Sequence, residues 1–135
     1  MSSFTNVLQY SKLKNGLYVT EREFTFYLDD RKTGEHLTVK AGTLFNGASI
    51  PKKLSKLFGW NPIDHRWLQA TVVHDVLVGE LCHPLTTSTG RLLHWVEAAD
   101  WFDAALRVKR SQYDSCPKLN RILFVHAVKL YGFFK

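Results

Sequence analysis

The strand-like patterns of this chain fall in its first third and its long helical patterns follow, and that segregation limits the folds open to it. Residues Leu17 to Leu28, LYVTEREFTFYL, are rich in aromatic and β-branched side chains in partial alternation. That suits the two-residue period of half-buried β-structure, and the segment reads as a strand or two. The polar stretch DDRKTGEH, with Gly34, reads as a hairpin turn, and LTVKAGTLF, Leu37 to Phe45, returns as a further strand. A small N-terminal antiparallel sheet followed by helices predicts an α+β fold, because a parallel sheet needs strands and helices in alternation.

The segment Asn46-Gly47-Ala48-Ser49-Ile50-Pro51 interrupts the strands as a structural loop, and Pro51 can open a short helix that ends near Gly59. Asn61 followed by Pro62 is a helix start, a capping residue with proline at the first helical position. The helix it opens is predicted to run to about Val78, where Gly79 ends it. ELCHPLTTSTG reads as a loop. A second long helix is predicted from about Arg91 to Val108. A last one is predicted from Pro117 to about Tyr131, with Ser115 as its cap and Gly132 as its stop. The chain is read as one domain over residues 1–135, mainly strands through residue 45 and mainly helical from residue 51.

At 135 residues the chain fits one domain able to bury a core without disulfides or metals. Its 45% hydrophobic and 22% charged residues are globular values and exclude a disordered or fibrous chain. No apolar run approaches the roughly 18 residues of a membrane span. The N-terminus lacks the basic start and apolar block of a signal peptide, so folding in a cytoplasm is expected. Cys82 and Cys116 are too few for a disulfide scaffold and read as reduced thiols. The net charge is +6, but the bases are scattered. Lys52, Lys53 and Lys56 form one small cluster and Arg107, Lys109 and Arg110 another. Neither belongs to a reader motif, so nucleic acid is not an expected partner.

The oddest feature is Val72-Val73-His74-Asp75-Val76-Leu77-Val78, a titratable pair inside an apolar helical turn. A buried polar group needs a partner. Glu97, Asp100 and Asp103 are spaced by three along one side of the next helix, and an antiparallel packing would let Asp100 reach the imidazole of His74. A carboxylate on one ring nitrogen turns the other toward a water, which makes His74 a candidate general base and Asp100 its orienter. Asp75 points about 100° away and could hold a cation or a loop amide. The same residues also suit a structural knot that locks the helices together, and both readings stand. Cys82-His83 is too short for a zinc knuckle. Ser49 lacks the glycine-flanked turn of an activated serine and suits loop capping. Trp60, Trp67, Trp95 and Trp101 fall in or beside helices and are expected in the core. Tyr131, Phe133 and Phe134, at or beyond a helix end, would suit a protein interface if exposed.

Taken in order, the Asn46–Pro51 loop, the helix with Ala70 and His74-Asp75, the Ala99-Asp100-Trp101-Phe102 segment and the closing Ala127-Val128…Gly132 resemble a family of small uncharacterised bacteriophage and prophage proteins. That family shows a D-G-A-S-V-P loop, an H-D-x-L-Y helix, an A-D helix and a terminal A-V-x-x-x-G. The resemblance spans roughly residues 38 to 132 and implies a source, while the family's activity is unassigned. Two positions depart from it. Asn46 stands where the family has Asp, and Val78 stands where it has Tyr. If that Asp and Tyr serve catalysis, this chain has kept the scaffold without the activity. The His-Asp helix followed by a later Asp is also similar, locally, to secreted phospholipases A2. That likeness implies His74 as base, Asp75 as calcium ligand and Asp100 as orienter. The glycine-rich calcium loop and the disulfides of those enzymes are missing here, and a local likeness does not assign function.

The leading expectation is therefore a phage accessory or structural protein, virion- or tail-associated, made in the host cytoplasm and working by contact with other phage structural proteins. On it, His74, Asp75 and Asp100 brace the Asn46–Pro51 loop and no cofactor is expected. The competing expectations are a calcium- or metal-assisted hydrolase built on those residues and a small inhibitor of a host protein.

Overall fold

The computed structural model describes residues 2–28, 35–45, 67–79, 83–108 and 118–134. The predicted Asn46–Pro51 loop, the short helix after it, the Asn61-Pro62 start, Ser115 and both cysteines lie outside the described residues.

The first third folds as strands: β1 (Ser3–Phe4), β2 (Tyr10–Lys12), β3 (Tyr18–Thr20), β4 (Phe24–Tyr27), β5 (His36–Val39) and β6 (Leu44–Phe45). They form two antiparallel three-stranded sheets rather than the single one expected, in the orders β1-β4-β5 and β2-β3-β6. β4 and β5 pair with Phe24 opposite Val39 and Phe26 opposite Leu37. All four of those side chains are buried. Thr25 and Thr38, opposite each other on the other face, share a 2.9 Å hydroxyl–hydroxyl hydrogen bond. That is the two-residue alternation read from the sequence, realised as a cross-strand pair. In the second sheet Tyr10, Tyr18 and Phe45 share one face, with ring centroids 5.6 to 5.8 Å apart.

Three helices follow, α1 (Leu68–Val78), α2 (Trp95–Leu106) and α3 (Lys118–Phe134), giving an α+β fold. In α1 every residue but His74 and Val78 is buried, including Val72, Val73, Val76 and Leu77. A helix apolar on all sides must be enclosed on all sides. It packs against α2 and touches β5. Gly79 ends it as predicted. Its φ of 75° and ψ of 43° are left-handed, and its N–H donates to the carbonyl of Asp75.

α2 begins at Trp95, later than the predicted Arg91. His94 caps it from an extended conformation, with its Nδ1 accepting the Val96 N–H at 3.4 Å. Residues 91–93 belong to the loop that precedes the helix.

α3 runs through Gly132 to Phe134, so Gly132 does not stop it and the aromatic residues 131, 133 and 134 lie within the helix. Glycine permits a left-handed cap but does not impose one, and inside a helix it costs only about 1 kcal/mol relative to alanine.

One buried cluster draws on both sheets and all three helices. Phe26 meets Trp101 edge-on at 5.9 Å, and Trp67 meets Phe124 at 5.1 Å. Trp67 and Trp101 are thus core residues, as expected, whereas Trp95 is only partly buried and Trp60 lies outside the described residues. Each such ring contributes roughly 1.5–3 kcal/mol by leaving water.

Candidate functional site

The apolar turn of α1 carries His74 to the border of the core, where its side chain keeps 14% of its exposure. Its ring lies 5.2 Å from the ring of Phe102 on α2, tilted by 42°. Its Nδ1 stands 3.9 Å from Oδ1 of Asp75. Asp75 is buried at 6% exposure. The adjacent pair is therefore carried into the packed region, as the sequence implies.

Asp100 is not brought to it. Two residues on a helix are separated by about 200°, so Asp100 and Phe102 face opposite ways on α2. Because Phe102 faces His74, Asp100 faces away. Its side chain is 67% exposed and stands 3.8 Å from Nζ of Lys129 on α3. The expected orienting contact is thus corrected by the way α2 docks. Ala98, Trp101, Phe102 and Ala105 take the buried side.

The other two acids of the same stripe also have their own basic partners. Asp103 accepts from Nη1 of Arg121 at 2.7 Å and stands 3.1 Å from Nη2 of Arg107, one turn on. Arg121 is 14% exposed, so this pair ties α3 to α2 from a partly dry position. Glu97, in the first turn of α2, accepts from Nη1 of Arg91 at 3.0 Å.

A second polar cluster went unread in the sequence. Glu35, just ahead of β5, gathers donors from the loop between α1 and α2. Its Oε2 accepts from the hydroxyls of Thr87 and Thr89 and from Nε of Arg91 at 3.2 Å, while its Oε1 accepts from Nη2 of Arg91 at 2.7 Å. These donors, the Arg91 guanidinium foremost, hold the Glu35 carboxyl down at about 2. The same contacts raise the pKa of Arg91. Beside them Ser88 and His36 exchange two bonds, Ser88 N–H to the His36 carbonyl at 2.8 Å and His36 N–H to the Ser88 hydroxyl at 2.9 Å. No local pattern announces this cluster, because its members stand more than 50 positions apart.

Calcium chemistry at Asp75 would need further oxygen ligands converging on it. Among the described residues no group of three or more His, Cys, Asp or Glu side chains is arranged to hold a metal ion. No described helix is long and apolar enough to cross a membrane. The arrangement bonds carboxylates to cations at element junctions and packs a histidine on an aromatic ring.

Residues 21–119 match the model of a family described as protein of unknown function, DUF1353. The match covers more than half of the chain, and the chain belongs to that family. Comparison with curated proteins and with solved structures gave no match.

Proposed function

We propose that this DUF1353 protein is an accessory or structural component of a bacteriophage particle, tail-associated and acting by contact with other phage structural proteins. One observation carries the choice over a hydrolase: His74 and Asp100, the base and orienter that a hydrolase reading needs, are turned apart by the docking of α2 on Phe102. The ordered motifs resembling phage and prophage proteins supply the source. On this reading the chain is made in the host cytoplasm and ends in the virion, and its polar clusters serve rigidity, which suits a part of an assembly.

The test is mass spectrometry of purified particles of a phage that encodes the protein. Presence in a fixed ratio to a tail protein supports the reading. Absence from particles, with the protein abundant in the same lysate, overturns it.

A further inference from the structure

Between α1 and α2, residues 83–94 meet the outer edge of β5, the last strand of its sheet, at His36. Leu85 and Leu93 anchor this connection. Leu93 is buried, Leu85 is half-buried against the core, and the Leu85 N–H donates to the carbonyl of Val76 at 2.9 Å. Between these anchors, residues 86–92 bury only Thr87. The tip therefore has almost no apolar hold on the protein. Two internal bonds shape it, Thr87 N–H to the Arg91 carbonyl and Gly90 N–H to the Thr87 carbonyl.

Its links to the other described residues are polar. Two are the exchanged bonds of Ser88 with His36, which cap the backbone of the edge strand. The others converge on Glu35, from Thr87, Thr89 and Arg91. Through its other nitrogen Arg91 also reaches Glu97. A segment held by few buried contacts and many polar ones belongs to the low-stability end of a fold and opens as a local unit.

We propose that residues 86–92 form a strap over the edge of β5, pivoting at Leu85 and Leu93 and latched by the single carboxylate of Glu35, so that losing this latch opens the strap and bares the His36 backbone while the rest of the fold stays closed. The arrangement covers a strand edge that would otherwise offer unpaired N–H and C=O groups to another chain. Because Glu35 collects donors from all three of Thr87, Thr89 and Arg91, those contacts open together.

Hydrogen exchange read by mass spectrometry on the full chain tests this. In Glu35→Gln the amides of residues 86–92 and of His36 should exchange at least about tenfold faster, together, while those of α1 keep their protection. A hydrogen bond to a charged group is of the size that gives such a factor. Arg91→Ala, which leaves the carboxylate in place, should produce the same local pattern. Unchanged exchange at Ser88 and His36 in both variants overturns the latch. Equal acceleration in α1 overturns the local strap, since the segment would then open only with the whole fold.

Discussion

Nη2 of Arg91 lies 2.7 Å from Oε1 of Glu35, across 56 positions of sequence, and Nε of the same guanidinium reaches Oε2 at 3.2 Å. This two-pronged contact joins the start of β5 to the approach to α2. Arginine suits the position because its planar fork matches both carboxylate oxygens at once.

The pair gives stability a defined pH dependence. Glu35 titrates near 2 when folded, against 4.5 for an ordinary glutamate, so the unfolded chain binds its proton first as pH falls. The contribution is whole above about 4.5 and disappears as pH drops toward about 2. Thermal unfolding of the wild type and Glu35→Gln should differ most at neutral pH, with the gap in Tm closing through that window. A gap that stays constant down to pH 2 would sink the assignment.

The junction of α2 and α3 should respond unequally to its two arginines. Arg121 is 14% exposed and donates to Asp103 at 2.7 Å, whereas Arg107 is 63% exposed. An exposed ion pair contributes under about 1 kcal/mol, and a partly buried charge-assisted bond about 1.5–3 kcal/mol. Urea unfolding should therefore show Arg121→Ala costing at least about 1 kcal/mol more than Arg107→Ala. Equal costs would mean that burial does not set the strength of this junction.

How much of this was legible follows from the range of each interaction. The β4–β5 hairpin was readable because Phe24 and Phe26 alternate with Thr25, and Leu37 and Val39 with Thr38, all within a few residues. The end of α1 at Gly79 was readable for the same local reason. β1 and β2 were not, since two- and three-residue strands exist only by pairing with β4 and β3. The site was half legible. Spacing placed Glu97, Asp100 and Asp103 on one stripe, but the stripe's direction depends on which arc of α2 docks. Trp101 and Phe102 decided that, and they turn Asp100 outward.

That outward turn can be measured by coupling. In a double-mutant cycle read by urea unfolding, His74→Ala and Phe102→Ala should interact by more than about 0.5 kcal/mol, as residues in contact do. His74→Ala and Asp100→Ala should add within about 0.3–0.5 kcal/mol, as separated residues do. A coupling between His74 and Asp100 as large as that with Phe102 would restore the orienting contact and remove the main support for a non-enzymatic role.

Two glycines of the chain should respond to alanine with opposite signs. Gly79 sits at φ 75°, a left-handed conformation in which a Cβ crowds the following carbonyl, and its N–H closes the last turn of α1 on the carbonyl of Asp75. Alanine there keeps the N–H but strains the backbone, so Gly79→Ala should destabilise by about 1–2 kcal/mol. Gly132 lies inside α3, where the helix continues to Phe134. A helical glycine carries an entropic cost that alanine removes, so Gly132→Ala should stabilise by about 0.5–1 kcal/mol. Both values come from the same urea titrations, with m unchanged as the sign that only stability has moved. Should Gly132→Ala destabilise as Gly79→Ala does, α3 would have to end at Gly132 after all, in the left-handed stop that its sequence suggests.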